Sequence, residues 1–522
     1  MADRAQPLSA GLRLGAGTAV LLVLALTLGP LGAVLVRAGT VAALGPADWA
    51  ALRFTVAQAT VSAALSLGLA VPVARALARR RFPGRGALIT LLGAPFILPV
   101  IVAVMGILGI FGRAGIVNDG LAALGFERIS IYGFGGVVLA HVFFNLPLAV
   151  RLLLQGWLAI PAERFRLAAA LGFGPGDIAR HLERPMLRAL GPGIFVTIFL
   201  ICLTSFAVAL TLGGGPKATT VELAIYQAFR FDFDLGRAAH LASLQLALCA
   251  VTALVAAGVT VPSAFGAGLD RPVARWDAGG AGLRALDATL LGLAALFLLA
   301  PLLTVCITGL PRLATLPEPV WRAAFRSVLV AVGSTALAMG LALPLALAIA
   351  RRGRARMLEM AGMLPLATSS LVTGTGLFLL LRQVASPGDL ALPVTVAVNA
   401  AMALPFVLRA LIPAARDLEA DYGRLALSLN LSGMARLRLL TLPRLSRPLG
   451  FAAGLTAALS MGDLGVIALF ADADRTTLPL QLYRLMGAYR MADAAGAAVL
   501  LLGLSLGLFW IFDRGGRADA GS

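Results

Sequence analysis

Asp463 is the residue whose setting most demands a chemical explanation. It interrupts an apolar run, Leu459-Ser460-Met461-Gly462-Asp463-Leu464-Gly465-Val466-Ile467-Ala468-Leu469-Phe470. A carboxylate at such a depth costs about 2.5–3.5 kcal/mol. It must therefore answer a backbone amide or an arginine, or else face a polar path along which a cation could pass. Asn145 and Asn399 stand in similar apolar surroundings, as does His141. Each could line the same path or hydrogen-bond between helices. Asp232, Asp234, Asp472 and Asp474 fall in short polar segments between apolar runs, as solvated loops or contacts for a partner. Cys202, Cys249 and Cys306 sit inside apolar runs without metal-ligand spacing, which reads as helix packing. No nucleophile–base–acid set, His/Cys metal cluster or G-x-x-x-x-G-K-[ST] loop is present, so neither a catalytic residue, a bound metal nor a cofactor is expected of this chain.

The elements that position these residues follow from composition. Of the 522 residues, 59% are hydrophobic and only 13% charged, and mean hydropathy is +0.92. A soluble core cannot absorb that much apolar surface, whereas a helix of roughly 20 apolar residues crosses a bilayer. The predicted fold is all-α and integral to the membrane. About twelve spans are expected, near 14–36, 54–77, 88–111, 132–156, 194–212 and 238–261, then 287–309, 327–350, 361–381, 393–411, 449–470 and 494–512. Arg4 and Arg13 precede a first run too long for a cleaved signal, so it reads as a retained helix.

The net charge of +18 does not mark a nucleic-acid partner. Basic residues, all arginine except Lys217, are biased roughly two to one toward alternate loops, including Arg79-Arg80-Arg81 and Arg351-Arg352-Gly353-Arg354. That bias predicts both termini on the cytoplasmic side of an inner membrane, with the clusters facing anionic lipid headgroups.

The chain also repeats itself. Leu146-Pro147 aligns with Leu404-Pro405, Arg151 with Arg409, Arg166-Leu167-Ala168 with Arg424-Leu425-Ala426, and Pro185 with Pro443. Two parallel six-helix halves are expected, over 1–265 and 287–522. A cytoplasmic linker over 266–286 would join them, and a pathway would run between them. Each half carries a long polar loop between its fourth and fifth spans, at about 157–193 and 412–448. Each loop reads as helix, break, helix, with breaks at Gly172-Phe173-Gly174-Pro175-Gly176 and Asn430-Leu431-Ser432-Gly433.

These loops resemble the coupling loop of permeases of ATP-binding-cassette importers, whose pattern is Glu-Ala-Ala, three residues, Gly, nine residues, Ile-x-Leu-Pro. Ala168, Gly172, Leu182 and Pro185 match in the first loop, and Ala426, Leu440, Leu442 and Pro443 in the second. Arg166 and Arg424 stand where the pattern has Glu, Leu167 and Leu425 where it has Ala, Arg184 where it has Leu, and Asn430 where it has Gly. The resemblance implies a type I importer permease fold and coupling through Arg166, Ala168, Gly172, Pro185, Arg424, Ala426, Asn430 and Pro443. It also implies two copies of a cytoplasmic ATPase, which would bind the ATP and Mg, and an external substrate-binding protein. The stretches Ser460–Phe470 and Thr477–Arg490 are similar to thiamine importer permeases, which implies a thiazolium cation as cargo; Asp463 is then the candidate to contact it, and Asn145 and Asn399 could line the same path. Ferric-iron permeases share the fused layout and stay open as an alternative. So does an ion-coupled secondary transporter, which would not need paired coupling loops. A membrane-embedded transferase would need polar catalytic residues clustered at one interface.

Overall fold

The computed structural model describes residues 10–39, 44–93, 95, 97–215, 218–258, 279–351, 355–386, 388–472 and 474–518. Lys217, Arg352-Gly353-Arg354 and the expected linker up to residue 278 lie outside the described residues. The first half runs α1 (Ala10–Ala38), α2 (Pro46–Arg79), α3 (Arg85–Leu91), α4 (Val100–Phe111), α5 (Ile116–Ala123), α6 (Phe134–Leu158), α7 (Ala162–Ala170), α8 (Pro175–Ile178), α9 (Arg184–Leu203), α10 (Ala207–Leu212), α11 (Val221–Arg230) and α12 (Leu235–Ala257). The second runs α13 (Ala281–Gly309), α14 (Glu318–Arg351), α15 (Arg356–Met363), α16 (Ser370–Leu381), α17 (Ala391–Ser428), α18 (Gly433–Arg436), α19 (Leu442–Met461), α20 (Gly465–Phe470), α21 (Leu478–Gly487) and α22 (Met491–Ala518).

Among the described residues there is no strand, as a lipid setting requires of a chain that must satisfy its own backbone within each segment. Among the described residues eleven helices are long and apolar enough to cross a membrane, and α15 with α16 forms an apolar pair bent by 92°, which makes twelve if the pair is one span. That bend corrects the straight span expected over 361–381. Pro365 follows the first arm, and Ser369 caps the second by accepting from the Val372 amide at 3.0 Å.

Two further expectations change. The fourth span of the second half does not stop near residue 411, because α17 continues to Ser428 through Pro405 and Pro413. In the first half the chain breaks at Pro161, and the repeat register puts Glu419 at that place in the second. Secondly, the segments assigned to loops around 213–237 and 471–493 hold α11 and α21, whose apolar residues are buried. Ten residues of helix span about 15 Å, too short to cross a bilayer and so invisible to a search for spans.

The repeat reappears in the helix ends. The α9–α10 pair and the α19–α20 pair keep one register, with breaks at Thr204-Ser205-Phe206 and Gly462-Asp463-Leu464. The halves are interlocked at their first helices. Besides packing on α12, α1 packs on α14 and α16 of the other half, while α13 packs on α2 and α4 besides α22. Gly106 lies so close to the Pro301 backbone, and Gly376 to that of Pro30, that a Cβ at either glycine would overlap it.

Candidate functional site

The two long loops share one backbone design. Helix α7 ends as Gly172 turns into the left-handed region at φ 69°, and the Phe173 amide reaches back to the Ala168 carbonyl at 2.9 Å. Helix α17 ends as Asn430 does the same at φ 50°, with the Leu431 amide on the Ala426 carbonyl at 2.8 Å. Both are helix-terminating turns of the kind that glycine serves best and asparagine tolerates next. The Asn430 departure from the Gly pattern is therefore conservative in geometry. Ala168 and Ala426 are buried under these turns.

After each turn a short helix runs into a π turn, Ala179–Glu183 or Leu437–Thr441. Pro185 and Pro443 lie just beyond. A proline ring clashes with the carbonyl four residues earlier and offers it no amide, and widening the helix at that point relieves the clash. The outward faces match as well. Arg166, Leu167 and Leu171 are exposed on one loop, Arg424, Leu425 and Leu429 on the other, with each of the four leucines more than half exposed. Paired apolar side chains beside a guanidinium form a surface that another protein can cover.

Different ion pairs hold these loops. Glu183 in the first π turn lies 2.8 Å from Arg75 Nε on α2 and accepts from Trp157 Nε1 at 3.3 Å. In the second half Glu419 on α17 accepts from Arg351 Nε at 2.7 Å and from Arg436 at 2.6 Å, all three side chains being buried. Both described chain ends lie at this loop end. Gly11 and Leu12 share a pocket with Gly433 and Met434, and Gly516 packs against Gly450.

A cavity of about 330 Å³ opens at the seam between halves. Pro99, Leu200 and Thr204 from the first half face Ser369, Asn399, Phe406, Ser460 and Asp463 from the second. Asp463 is placed there by the break between α19 and α20, not within a helix as its apolar run suggested. Its Oδ1 accepts from the Gly465 amide at 3.3 Å, a local turn that fixes the carboxylate, and among the described residues no ion pair neutralises it. Asn399 donates to Ser460 Oγ at 3.0 Å, and Ser460 donates to Ser334 Oγ at 3.1 Å.

Asn145 does not join this cavity. It is buried inside the first half, where it donates to the His141 carbonyl at 2.8 Å and to Cys202 Sγ at 3.4 Å. The repeat register places His141, not Asn145, opposite Asn399. His141 lies 3.5 Å from Ser62 Oγ, inside the first half. The carbonyls freed at the α9–α10 break are met instead by side-chain amides, Gln58 on Cys202 at 3.0 Å and Gln245 on Leu203 at 2.9 Å.

Beyond Asp463, away from the loop end, aromatic rings close the seam. Phe229 of α11 meets Phe378 of α16 at 4.4 Å between centroids, and Phe378 meets Phe470 of α20 at 5.6 Å. A larger cavity of about 850 Å³ lies among α4, α13, α21 and α22. Among the described residues Arg113 and Arg312 line it and no carboxylate does, which disfavours a cation there. Asp232 pairs with Arg237 at 3.0 Å, and Asp234 caps α12 through the Arg237 amide at 2.9 Å. Of the acidic groups between spans, these two thus have structural partners.

No family model matches the chain. It is 42% identical over 483 residues to the thiamine transport system permease protein ThiP of Escherichia coli (strain K12), covering 89% of each chain. It is 40% identical over 474 residues to the protein of the same name in Brucella abortus (strain 2308), covering 89% of this chain and 87% of that one. The molybdenum transport system permease protein ModB of Mycobacterium bovis (strain ATCC BAA-935 / AF2122/97) is 34% identical over 227 residues, which are 42% of this chain and 82% of that one.

Proposed function

The chain belongs to the family of thiamine transport permeases, and from that premise we propose that it is the membrane-spanning subunit of an ATP-driven importer carrying thiamine inward across the bacterial inner membrane. The observation that carries this reading is the pair of pseudo-symmetric loops at one end of a two-half bundle, with a carboxylate-bearing cavity at the seam above them. Two copies of a cytoplasmic ATPase would cover Leu167/Leu171 and Leu425/Leu429, putting the loop end and both termini in the cytoplasm. The arginine bias of the loops supports the same orientation. ATP and Mg belong to that partner, and an external binding protein would deliver the solute to the far end.

The repeat supports a division into halves over 1–265 and 287–522, rocking about their seam. In the conformation described, the Phe229–Phe378–Phe470 contacts close the far side of the cavity. ATP-driven approach of the two ATPases would move the loops and part these rings, since nucleotide and solute each favour the state they bind better. Asp463 and Asn399 would meet the solute, the carboxylate offsetting the fixed charge of a thiazolium. Asn145 is withdrawn from that role because the first half encloses it.

Uptake of labelled thiamine by cells lacking this chain, with and without its restoration, tests the reading. Restored uptake blocked by excess unlabelled thiamine and not by ferric iron supports it, and phosphorylated thiamine as a further competitor defines the range of cargo. Uptake blocked only by iron would assign the chain to an iron importer. Restoration insensitive to loss of the ATPase would leave an ion-coupled transporter.

A further inference from the structure

Glu222 is the second residue of α11 and only 1% exposed. Among the described residues no ion pair neutralises its carboxylate, and only the neutral side chains of Ser369 and Gln245 stand near enough to hydrogen-bond it. Of these, Ser369 also lines the Asp463 cavity. A buried carboxylate without a counter-charge is costly, and the cost falls when a cation arrives. The first turn of α11 supplies amide dipoles that favour negative charge at this position. The sequence shows why Glu222 has no twin. In the repeat register it falls opposite Pro479, just as Asp463 falls opposite Ser205. Each half therefore contributes one carboxylate at the seam, the second half through a helix break and the first through a buried short helix. Ser369-Ser370 lies between them, with Ser370 Oγ beside Gly465. Helix α11 also carries Phe229 of the aromatic closure.

Resting on the thiamine reading above, we infer that Glu222 is a second cation-binding carboxylate of the pathway, on the far side of Ser369 from Asp463. A thiazolium entering past the parted aromatic rings would meet Glu222 first and Asp463 next. The two acids then discriminate charge, while shape is read by the apolar lining.

The purified permease–ATPase complex in lipid nanodiscs, without the binding protein, provides the test. Binding of labelled thiamine is compared with binding of its thiophene analogue, which keeps the shape and lacks the ring charge. The wild type should bind thiamine saturably and at least about tenfold more tightly than the analogue. Glu222→Gln should weaken thiamine binding about tenfold and leave the analogue unchanged. A purely structural role would weaken both equally or neither, and either result overturns the inference. Should Glu222→Gln not assemble with the ATPase, Glu222→Asp serves. Withdrawing the carboxylate by one methylene should raise the thiamine dissociation constant about threefold and not that of the analogue, and equal shifts overturn the inference. Absence of saturable thiamine binding to the wild type would remove the thiamine reading together with this one. Wild-type binding with an unaltered Glu222→Gln removes this one alone.

Discussion

From the turns at Gly172 and Asn430 onward the two loops trace the same path, and they are anchored by different charges. Backbone features that geometry dictates recur in both: the left-handed residue, the π turn and the proline behind it. The anchors differ. Glu183 meets Arg75, which is 29% exposed, and Trp157, whereas Glu419 is enclosed with two buried arginines. The cavity side shows the same division. Ser62 and His141 form a closed cluster in one half, while Ser460, backed by the buried Ser334, and Asn399 in the other border an open space with Asp463. Duplication preserves what the helices need in order to turn, and leaves charge free to be placed on one side only.

The largest test of this contrast is Glu419→Gln. Removing the shared partner strands Arg351 and Arg436 in a buried site and should cost about 3–5 kcal/mol of stability, read as a lower melting temperature of the purified permease. Glu183→Gln should cost about 2 kcal/mol, because Arg75 can turn toward water. Equal losses would mean that the two anchors are interchangeable. Next come Leu171→Asp and Leu429→Asp, each expected to cost about 2 kcal/mol of ATPase binding, seen as loss of co-purification at limiting ATPase. An effect at one loop only would show unequal docking.

Asp463→Asn should then lower thiamine uptake about tenfold with assembly intact, about 1.4 kcal/mol, while Ser205→Ala at the paired position leaves uptake unchanged. Equal uptake by both variants would break the asymmetry of the cavity. The smallest effects belong to the turns. Gly172→Ala should cost about 1–2 kcal/mol, because alanine resists the left-handed region, and Asn430→Gly should change stability by less than about 0.5 kcal/mol in thermal unfolding. A large loss in the second would mean that the Asn430 side chain does more than allow the turn.

Much of this was legible in the sequence, for identifiable reasons. Long apolar runs announce spans, and the repeat announced two matching loops down to Gly172 and Asn430. The bend at Thr368-Ser369 was not legible, because both arms are apolar and hydropathy is blind to direction. Helix α11, with its Glu222, was not legible either, since a ten-residue buried helix has the length of a loop and the polarity of one at its ends. The Arg351–Glu419–Arg436 anchor joins residues far apart in the chain, and no local pattern marks it. Asn145 and Asn399 are not equivalent, one being enclosed in the first half and the other lining the Asp463 cavity. The alignment of Leu146 with Leu404 already pairs His141 with Asn399.

The crossing of α1 and α13 into the opposite halves has a consequence in time. During synthesis α1 emerges before α14 and α16, and its seat on them is complete only when Leu381 has been made. At roughly 5–20 residues per second, α1 waits on the order of a quarter of a minute to a minute in the lipid before it can dock. Its sparse burial, with exposed Leu14, Leu21, Leu22, Leu28 and Leu35, suits a helix that must be at ease in the bilayer alone. The chain thus ties its own beginning to its later half, and neither half reaches its final packing until the other exists.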